Sequence, residues 1–449
     1  MGEIVTIETP SLGDRSYLAH DGEVALVVDP QRDIDRFLAA AASEGVRISH
    51  VFETHVHNDY VSGGLALAEA VGATYVVPGG DEVDFERVPA TEGARFAVGR
   101  LSVVAMATPG HTPHHMAYAL SEGAAPPVAV FTGGSMLFGA VGRTDLVAPG
   151  QTEALTRSQY RSVRRLAREL PGEAAVLPTH GFGSFCSATP TSGEASTVAE
   201  QASANIALTT EDETTFVKAL LAGLGAYPRY YAHMAPANRR GPRPAALEPP
   251  RLLSAAGLRR AIEDNEWVVD LRQRRAFARH HIVGTISVEL GDAFATFLGW
   301  TKPWEVALTL VGDSAEQVAL AQRELARIGI ERPGAAIGTT DQLAQGATGS
   351  YRVAAFADLA QVIADDAVVV LDVRRPDEWE AGHLERATYI PFWELEDHLD
   401  QVPPGEVWVH CATGLRASIS ASVLDRAGRR TVLVDDNWDK AGELGLPMA

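Results

Sequence analysis

Cysteine is nearly absent from this chain of 449 residues: there are two, Cys186 and Cys411. Two thiols cannot build a disulfide framework at this length, which excludes a small stapled secreted fold and fits a reducing compartment. Long apolar runs are missing too, so no segment reads as a helix crossing a bilayer and no membrane partner is expected. Positive charge is scarce. The 38 Lys and Arg face 58 Asp and Glu, a formal net charge of −20, which argues against nucleic acid as a partner. The first residues, Met1-Gly2-Glu3-Ile4-Val5, lack a basic segment followed by an apolar one, so no signal peptide is read and a cytoplasmic location is expected.

What is present suffices for several cores. The composition, 46% hydrophobic and 21% charged, is that of a globular protein, and the length predicts two to four domains. Self-association into a homo-oligomer is left open.

The densest chemistry lies in Thr54-His55-Val56-His57-Asn58-Asp59-Tyr60, directly after the β-prone run Ile48 to Phe52. In a chain leaving a strand still extended, residues at i, i+2 and i+4 project to one side, so His55, His57 and Asp59 can converge. Two imidazoles and a carboxylate suit a transition metal. Around this motif the pattern predicts strands at 4–9, 16–20, 24–29 and 74–77, helices at 33–44 and 63–71, and β-rich sequence over 96–107. Further strands at 128–131 and 175–178 run into Thr132-Gly133-Gly134-Ser135 and Thr179-His180-Gly181. His111, in Thr108-Pro109-Gly110-His111, sits at another strand end. Strands alternating with helices make this an α/β layered domain whose strand ends can deliver polar loops to one edge.

The ordered set His55-x-His57-x-Asp59, Thr-Pro-Gly-His111, Phe-Thr-Gly133, Gly142-Arg143-Thr144-Asp145 and Pro-Thr-His180 resembles the metallo-β-lactamase fold. Within that fold it is most similar to the glyoxalase II and persulfide dioxygenase branch. Two positions depart from the pattern. In the dinuclear hydrolases the first motif ends Asp-His; here Tyr60 stands at the histidine that serves the second metal. In the mononuclear iron dioxygenases an Asp follows Phe-Thr-Gly; here that residue is Gly134. Three completions are open: His57 joins His55 and His111 in a three-histidine site suited to zinc or non-haem iron, Asp59 or His180 steps in, or the metal is weakly held or absent. The three-histidine set ranks first, because the family aims those side chains at one place. By the same resemblance Arg143 pairs with a carboxylate of a glutathione-like thiol; alternatively it braces its own loop with Asp145. Cys186 reads as a buried, inert thiol near the pocket.

Residues 194–235 read as helices, and Ala235 to Arg251, with five prolines, as a linker. Beyond it lies an internal repeat. Trp267 to Arg272, then Phe277 and His281, recurs as Val369 to Arg374, then Trp379 and His383. The joint is expected at 345–350. These repeats resemble rhodanese domains. The second has the strand Val407-Trp408-Val409, then His410-Cys411-Ala412-Thr413-Gly414-Leu415-Arg416 leading into a helix. Loop amides and a helix N-terminus stabilise a thiolate or persulfide on Cys411, and Arg416 adds positive charge. Alignment of the following helices puts Gly312 opposite Cys411, so the first repeat has no nucleophile.

The fold class expected is therefore α/β: an N-terminal metallo-β-lactamase αββα sandwich over 1–240, then two tandem rhodanese-like domains, an inactive one over 252–342 and one with Cys411 over 352–449. The order resembles persulfide dioxygenase–sulfurtransferase fusions, which implies oxidation of a low-molecular-weight persulfide at Fe2+, with sulfane sulfur carried by Cys411. Two alternatives stand beside it: a Zn2+ hydrolase of thioesters such as S-lactoylglutathione, and a non-catalytic metal domain serving Cys411 alone.

Overall fold

The computed structural model describes residues 3–147, 149–189, 191 and 193–449. The chain forms two compact units, residues 1–245 with 326–329, and residues 246–325 with 330–449.

Alternating apolar residues in the first unit build two sheets that face each other. One sheet has the order β1 (Glu3–Thr9), β2 (Asp14–His20), β3 (Val24–Val28), β4 (Arg47–Phe52), β5 (Thr74–Pro78) and β6 (Val88–Ala90). Two helices follow strands of this sheet, α1 (Asp35–Glu44) after β3 and α2 (Gly64–Val71) after β4. The other sheet contains β7 (Arg95–Val98), β8 (Leu101–Ala107), β9 (Met116–Glu122), β10 (Ala129–Gly133) and β11 (Ala175–Pro178), in the order β11-β10-β9-β8-β7. Tyr17, Leu26, Phe52 and Val76 of the first sheet meet Val103, Tyr118 and Phe131 of the second in a buried inner core. The opposite face of the first sheet packs on Phe37, Ala41, Leu67 and Ala68 of α1 and α2. The outer face of the second sheet packs on α3 (Thr152–Glu169), whose Tyr160, Val163 and Leu166 repeat at helical spacing. The layers run helix, sheet, sheet, helix, as the αββα expectation has it.

The strand β9 and the helix α3 are not among the elements the sequence pattern predicts. A second difference lies at the linker: Tyr231–Arg240 is a helix with Pro236 inside it, so the irregular stretch begins at Gly241 rather than at Ala235.

In the second unit a four-stranded parallel sheet has the order Ile286–Ser287, Trp267–Asp270, Leu308–Gly312, Gly334–Ile337, flanked by a bridge from Leu252 to Ala335. A five-stranded parallel sheet has the order Thr388–Tyr389, Val368–Asp372, Glu406–His410, Thr431–Val434, Arg352–Ala354. The two orders superimpose strand for strand. Register carries the comparison to single residues: Asp270 pairs with Val311 and Asp372 with His410, so the next residues, Gly312 and Cys411, correspond. Arg272 grips Asp270 as Arg374 grips Asp372, and Phe277 stacks on His281 as Trp379 stacks on His383. At the expected joint, Thr348–Gly349 forms a short strand paired with His281–Ile282.

Candidate metal centre and sulfur-carrying loop

Strand ends of both sheets in the first unit bring the polar loops together. His55, His57 and Asp59 follow β4, His111 lies between β8 and β9, Gly134 follows β10, and His180 follows β11. All four histidines and Asp59 are buried. Ligand atoms of His55, His57 and His180 lie within 4.8 Å of one another, and so do those of His111, His180 and Cys186. His180 is thus shared by both groups, whereas the sequence held it as a substitute. The His55 and His111 rings lie 4.7 Å apart edge to face. Nε2 of His55 and Nε2 of His180 are 3.3 Å apart, close to the ~3.3 Å between two nitrogens on one tetrahedral ion at about 2.0–2.1 Å.

Each ring is fixed through the nitrogen that the cluster does not need. His55 Nδ1 is 2.9 Å from Thr54 Oγ1. His57 Nε2 lies 3.2 Å from both Asp29 Oδ1 and Glu53 Oε2, and 3.0 Å from the Tyr60 hydroxyl. His111 Nδ1 donates to the Arg143 carbonyl at 2.7 Å. His180 Nδ1 meets Asp14 at 2.9 Å and Asp59 at 3.1 Å. His57 Nδ1, His111 Nε2 and Asp59 Oδ1 are left buried without a hydrogen-bond partner. Burying such atoms unpaired is costly, and a cation bound among them removes that cost. The residues therefore fit the divalent metal that the fold family implies.

Charge follows the same geometry. Burial, together with neighbouring imidazoles, drives His55 well below its ordinary value, and burial with His180 nearby lowers His111 to about 3, so both keep a lone pair. Burial also opposes protonation of His57 and His180. At His57 the Asp29 and Glu53 carboxylates outweigh it and raise the ring to about 9, while Asp59 and Asp14 raise His180.

The two departures from the pattern have physical causes. The Tyr60 hydroxyl donates to the Asp29 carbonyl and lies beside His57, so it is occupied away from the position of a second ion. At Gly134 a Cβ would run into the His111 ring, while the Gly134 amide donates to His115 Nε2 at 3.0 Å. The space of the missing carboxylate is filled by a ligand ring.

The Arg143 guanidinium is buried, forks onto Asp145 at 2.7 and 2.8 Å, and donates to the Phe185 and Gly225 carbonyls, so its hydrogen bonds are made within the protein. Arg239 lines a cavity of about 310 Å³ next to the histidine loops, with Asn58, Asp81, Thr112 and His114. Asn238 was missed as well: its amide donates to the His57 and Tyr60 carbonyls at 2.9 and 2.8 Å. Both residues fall in the proline-containing stretch read as linker, which carries no site signal. Asp14 and Asp29 were missed for another reason, since single acidic residues at strand ends are common. Asp29 does have a backbone mark, a positive φ of 51°.

In the second unit Cys411 is buried at the C-terminal end of Glu406–His410, and the Gly414 amide donates to its sulfur at 3.2 Å. The helix Leu415–Arg426 starts directly behind it. Arg416 forks onto Glu378, one arm at 2.8 Å, so its charge is shared with that carboxylate.

Residues 14–180 match the metallo-β-lactamase superfamily and residues 355–441 a rhodanese-like domain. A hydroxyacylglutathione hydrolase of Cereibacter sphaeroides is 31% identical over 189 residues, which is 40% of this chain and 67% of that protein. The chain belongs to the metallo-β-lactamase superfamily. The mitochondrial persulfide dioxygenase ETHE1 of Homo sapiens is 28% identical over 211 residues, 46% of this chain and 73% of that one. The crystal structure of a metallo-β-lactamase from Staphylococcus aureus aligns with a TM-score of 0.67 at 26% identity, covering 75% of this chain and 99% of that chain. This metallo-β-lactamase-fold protein thus joins the metal domain to a C-terminal rhodanese-like domain. Among its described residues no helix is long and apolar enough to cross a membrane.

Proposed function

We propose that the first unit is a mononuclear Fe2+ enzyme that oxidises a glutathione-like persulfide, and that Cys411 carries sulfane sulfur for the same pool. The observation that carries this reading is the buried cluster of four histidines beside a Tyr60 hydroxyl turned onto Asp29, which suits one ion rather than two. The ion would be held by His55, His57, His111 and His180. When bound, it supplies the site for persulfide sulfur and O₂. The balance is RSSH + O₂ + H₂O → RSH + H₂SO₃, with sulfane sulfur oxidised and O₂ reduced. The chain's own part is orientation: Thr54, the Asp29–Glu53 pair and the Arg143 carbonyl hold the rings, and Arg239 and His114 at the cavity mouth pair with substrate carboxylates.

At Cys411 the thiolate attacks the terminal sulfur of RSSH, the S–S bond breaks, RS⁻ leaves, and a Cys411 persulfide remains. The Gly414 amide and the helix N-terminus stabilise that charge. Sulfite can then take the sulfane sulfur to give thiosulfate and free Cys411. The half containing Gly312 has no sulfur at the matching position and is read as an inactive rhodanese-like domain.

Metal analysis of anaerobically purified protein, with O₂ uptake on adding glutathione persulfide, tests the first part. Near-stoichiometric iron and persulfide-dependent uptake are expected. Cys411→Ser is expected to abolish sulfur transfer and leave O₂ uptake intact; loss of both together would refute two separate sites. The similarity to hydroxyacylglutathione hydrolases favours a second reading, a Zn2+ thioesterase. Cleavage of S-lactoylglutathione without O₂ uptake would establish it in place of the first.

A further inference from the structure

Cys186 is the one thiol that this reading leaves without a task. It lies fully buried in the loop after β11, and its sulfur is within 4.8 Å of ligand nitrogens of His111 and His180. The thiol lies beside the Asp59 carboxylate and the Tyr231 hydroxyl. The backbone of one residue sets both neighbours in register: the Arg143 amide donates to the Cys186 carbonyl at 2.8 Å, and the Arg143 carbonyl holds His111 Nδ1. That second bond fixes the His111 tautomer, so Nε2 presents a lone pair. Two atoms of this group, His111 Nε2 and Asp59 Oδ1, are buried with no partner of their own. A thiol, two imidazoles and a carboxylate around such vacant lone pairs form a donor set for a thiophilic divalent cation such as Fe2+, Co2+ or Zn2+.

We infer that Cys186 is a metal ligand, acting with His111, His180 and Asp59 where Gly134 and Tyr60 supply none. This rests on the metal-centre reading above and adds a thiolate and the Asp59 carboxylate to its histidines. On binding, the S–H bond breaks, its proton passes to water, and a metal–sulfur bond takes its place; no electron is transferred.

The test uses the full-length Cys411→Ser protein, in which Cys186 is the sole thiol. Loaded anaerobically with Co2+, it is expected to show a near-ultraviolet thiolate-to-cobalt charge-transfer band, and X-ray absorption is expected to find one sulfur at about 2.3 Å. Adding Cys186→Ser should abolish the band and weaken Co2+ binding by more than about tenfold. Stoichiometric Co2+ with no band and no sulfur neighbour would overturn the thiolate ligand and leave the histidine centre standing. Failure of wild-type protein to retain Fe2+, Zn2+ or Co2+ would overturn both. The absorption measurement needs no change at Cys186, so the outcome does not depend on the double variant folding.

Discussion

At the scale of single residues, Gly134 and His111 show how a ligand position is lost. The His111 ring lies where a side chain at 134 would start, and it is anchored by its bond to the Arg143 carbonyl. An aspartate at 134 therefore does more than restore a carboxylate; it must displace a ring that the centre uses. Gly134→Ala isolates this effect, since it adds one methyl group and no charge. Overpacking of this kind costs about 1–3 kcal/mol, so metal affinity should fall by about tenfold or more as the ring is pushed aside. Titration with Co2+ checks it: an alanine variant that binds as the wild type does would mean that the ring has room to move. Arg143 teaches a similar lesson. Its side chain braces a loop while its backbone C=O and N–H hold His111 and Cys186, so its contribution to the centre lies in the backbone.

At the scale of elements, the turn from the strand Glu406–His410 to the helix Leu415–Arg426 is the working part of the second unit. Gly414 has a φ of 92°, and a Cβ on it would run into Asp435, so the turn accepts glycine alone without strain. Arg416 on the first turn of the helix is held by Glu378. Burial by itself would raise the Glu378 carboxyl, yet the Arg416 fork outweighs it and lowers it from 4.5 to about 2. A carboxyl depressed in the folded state stabilises fully above its unfolded value, and the gain is lost as pH falls from about 4.5 towards 2. At about 1.36 kcal/mol per unit this amounts to about 3 kcal/mol. All seven tryptophans lie at or beyond Trp267, so their fluorescence reports on the second unit alone. Its melting temperature should drop between pH 4.5 and 2, and the drop should be shallower in Glu378→Gln. An unchanged slope would show that the pair is not coupled to folding.

At the scale of the molecule, the two α/β halves of the second unit are tied by polar contacts rather than joined by a linker alone. The Ser287 amide donates to Ser422 Oγ at 3.0 Å, His281 meets Asp425 at 3.0 Å, and Trp300 stacks on Trp393. Arg274 reaches Asp435 at 2.8 Å, and Arg275 bonds the other oxygen of the same carboxylate. Asp435 is the wall against which Gly414 turns, so the half without a nucleophile steadies the loop that holds one. Arg274→Ala removes the charged hydrogen bonds to Asp435 and Glu289, each worth about 1.5–3 kcal/mol, and the contact to the Thr413 carbonyl. It should lower the tryptophan-detected melting temperature and slow sulfur transfer several-fold, with the metal content of the first unit unchanged. Sulfur transfer at the wild-type rate would mean that Arg275 alone holds the wall.

Some of this was decided by the sequence itself. The spacing of His55, His57 and Asp59, the histidines after glycine or proline at strand ends, the duplicated Asp-x-Arg strands and the Cys411-to-Arg416 loop are local patterns, and local geometry alone makes them readable. The alternation of strands and helices made the first unit legible as an α/β layered domain, and its helix–sheet–sheet–helix order came with the resemblance to the metallo-β-lactamase fold. What needed the tertiary structure was everything set by contacts across long stretches of chain: Asp14 on His180, Asn238 on the His57 loop, Cys186 beside His111, and Arg143 turned inward. His180 and Asp14 are 166 residues apart and His57 and Asn238 are 181 apart, and no periodicity links them. Burial at the meeting of two sheets selects them, because only there must every polar atom find a partner or a cation.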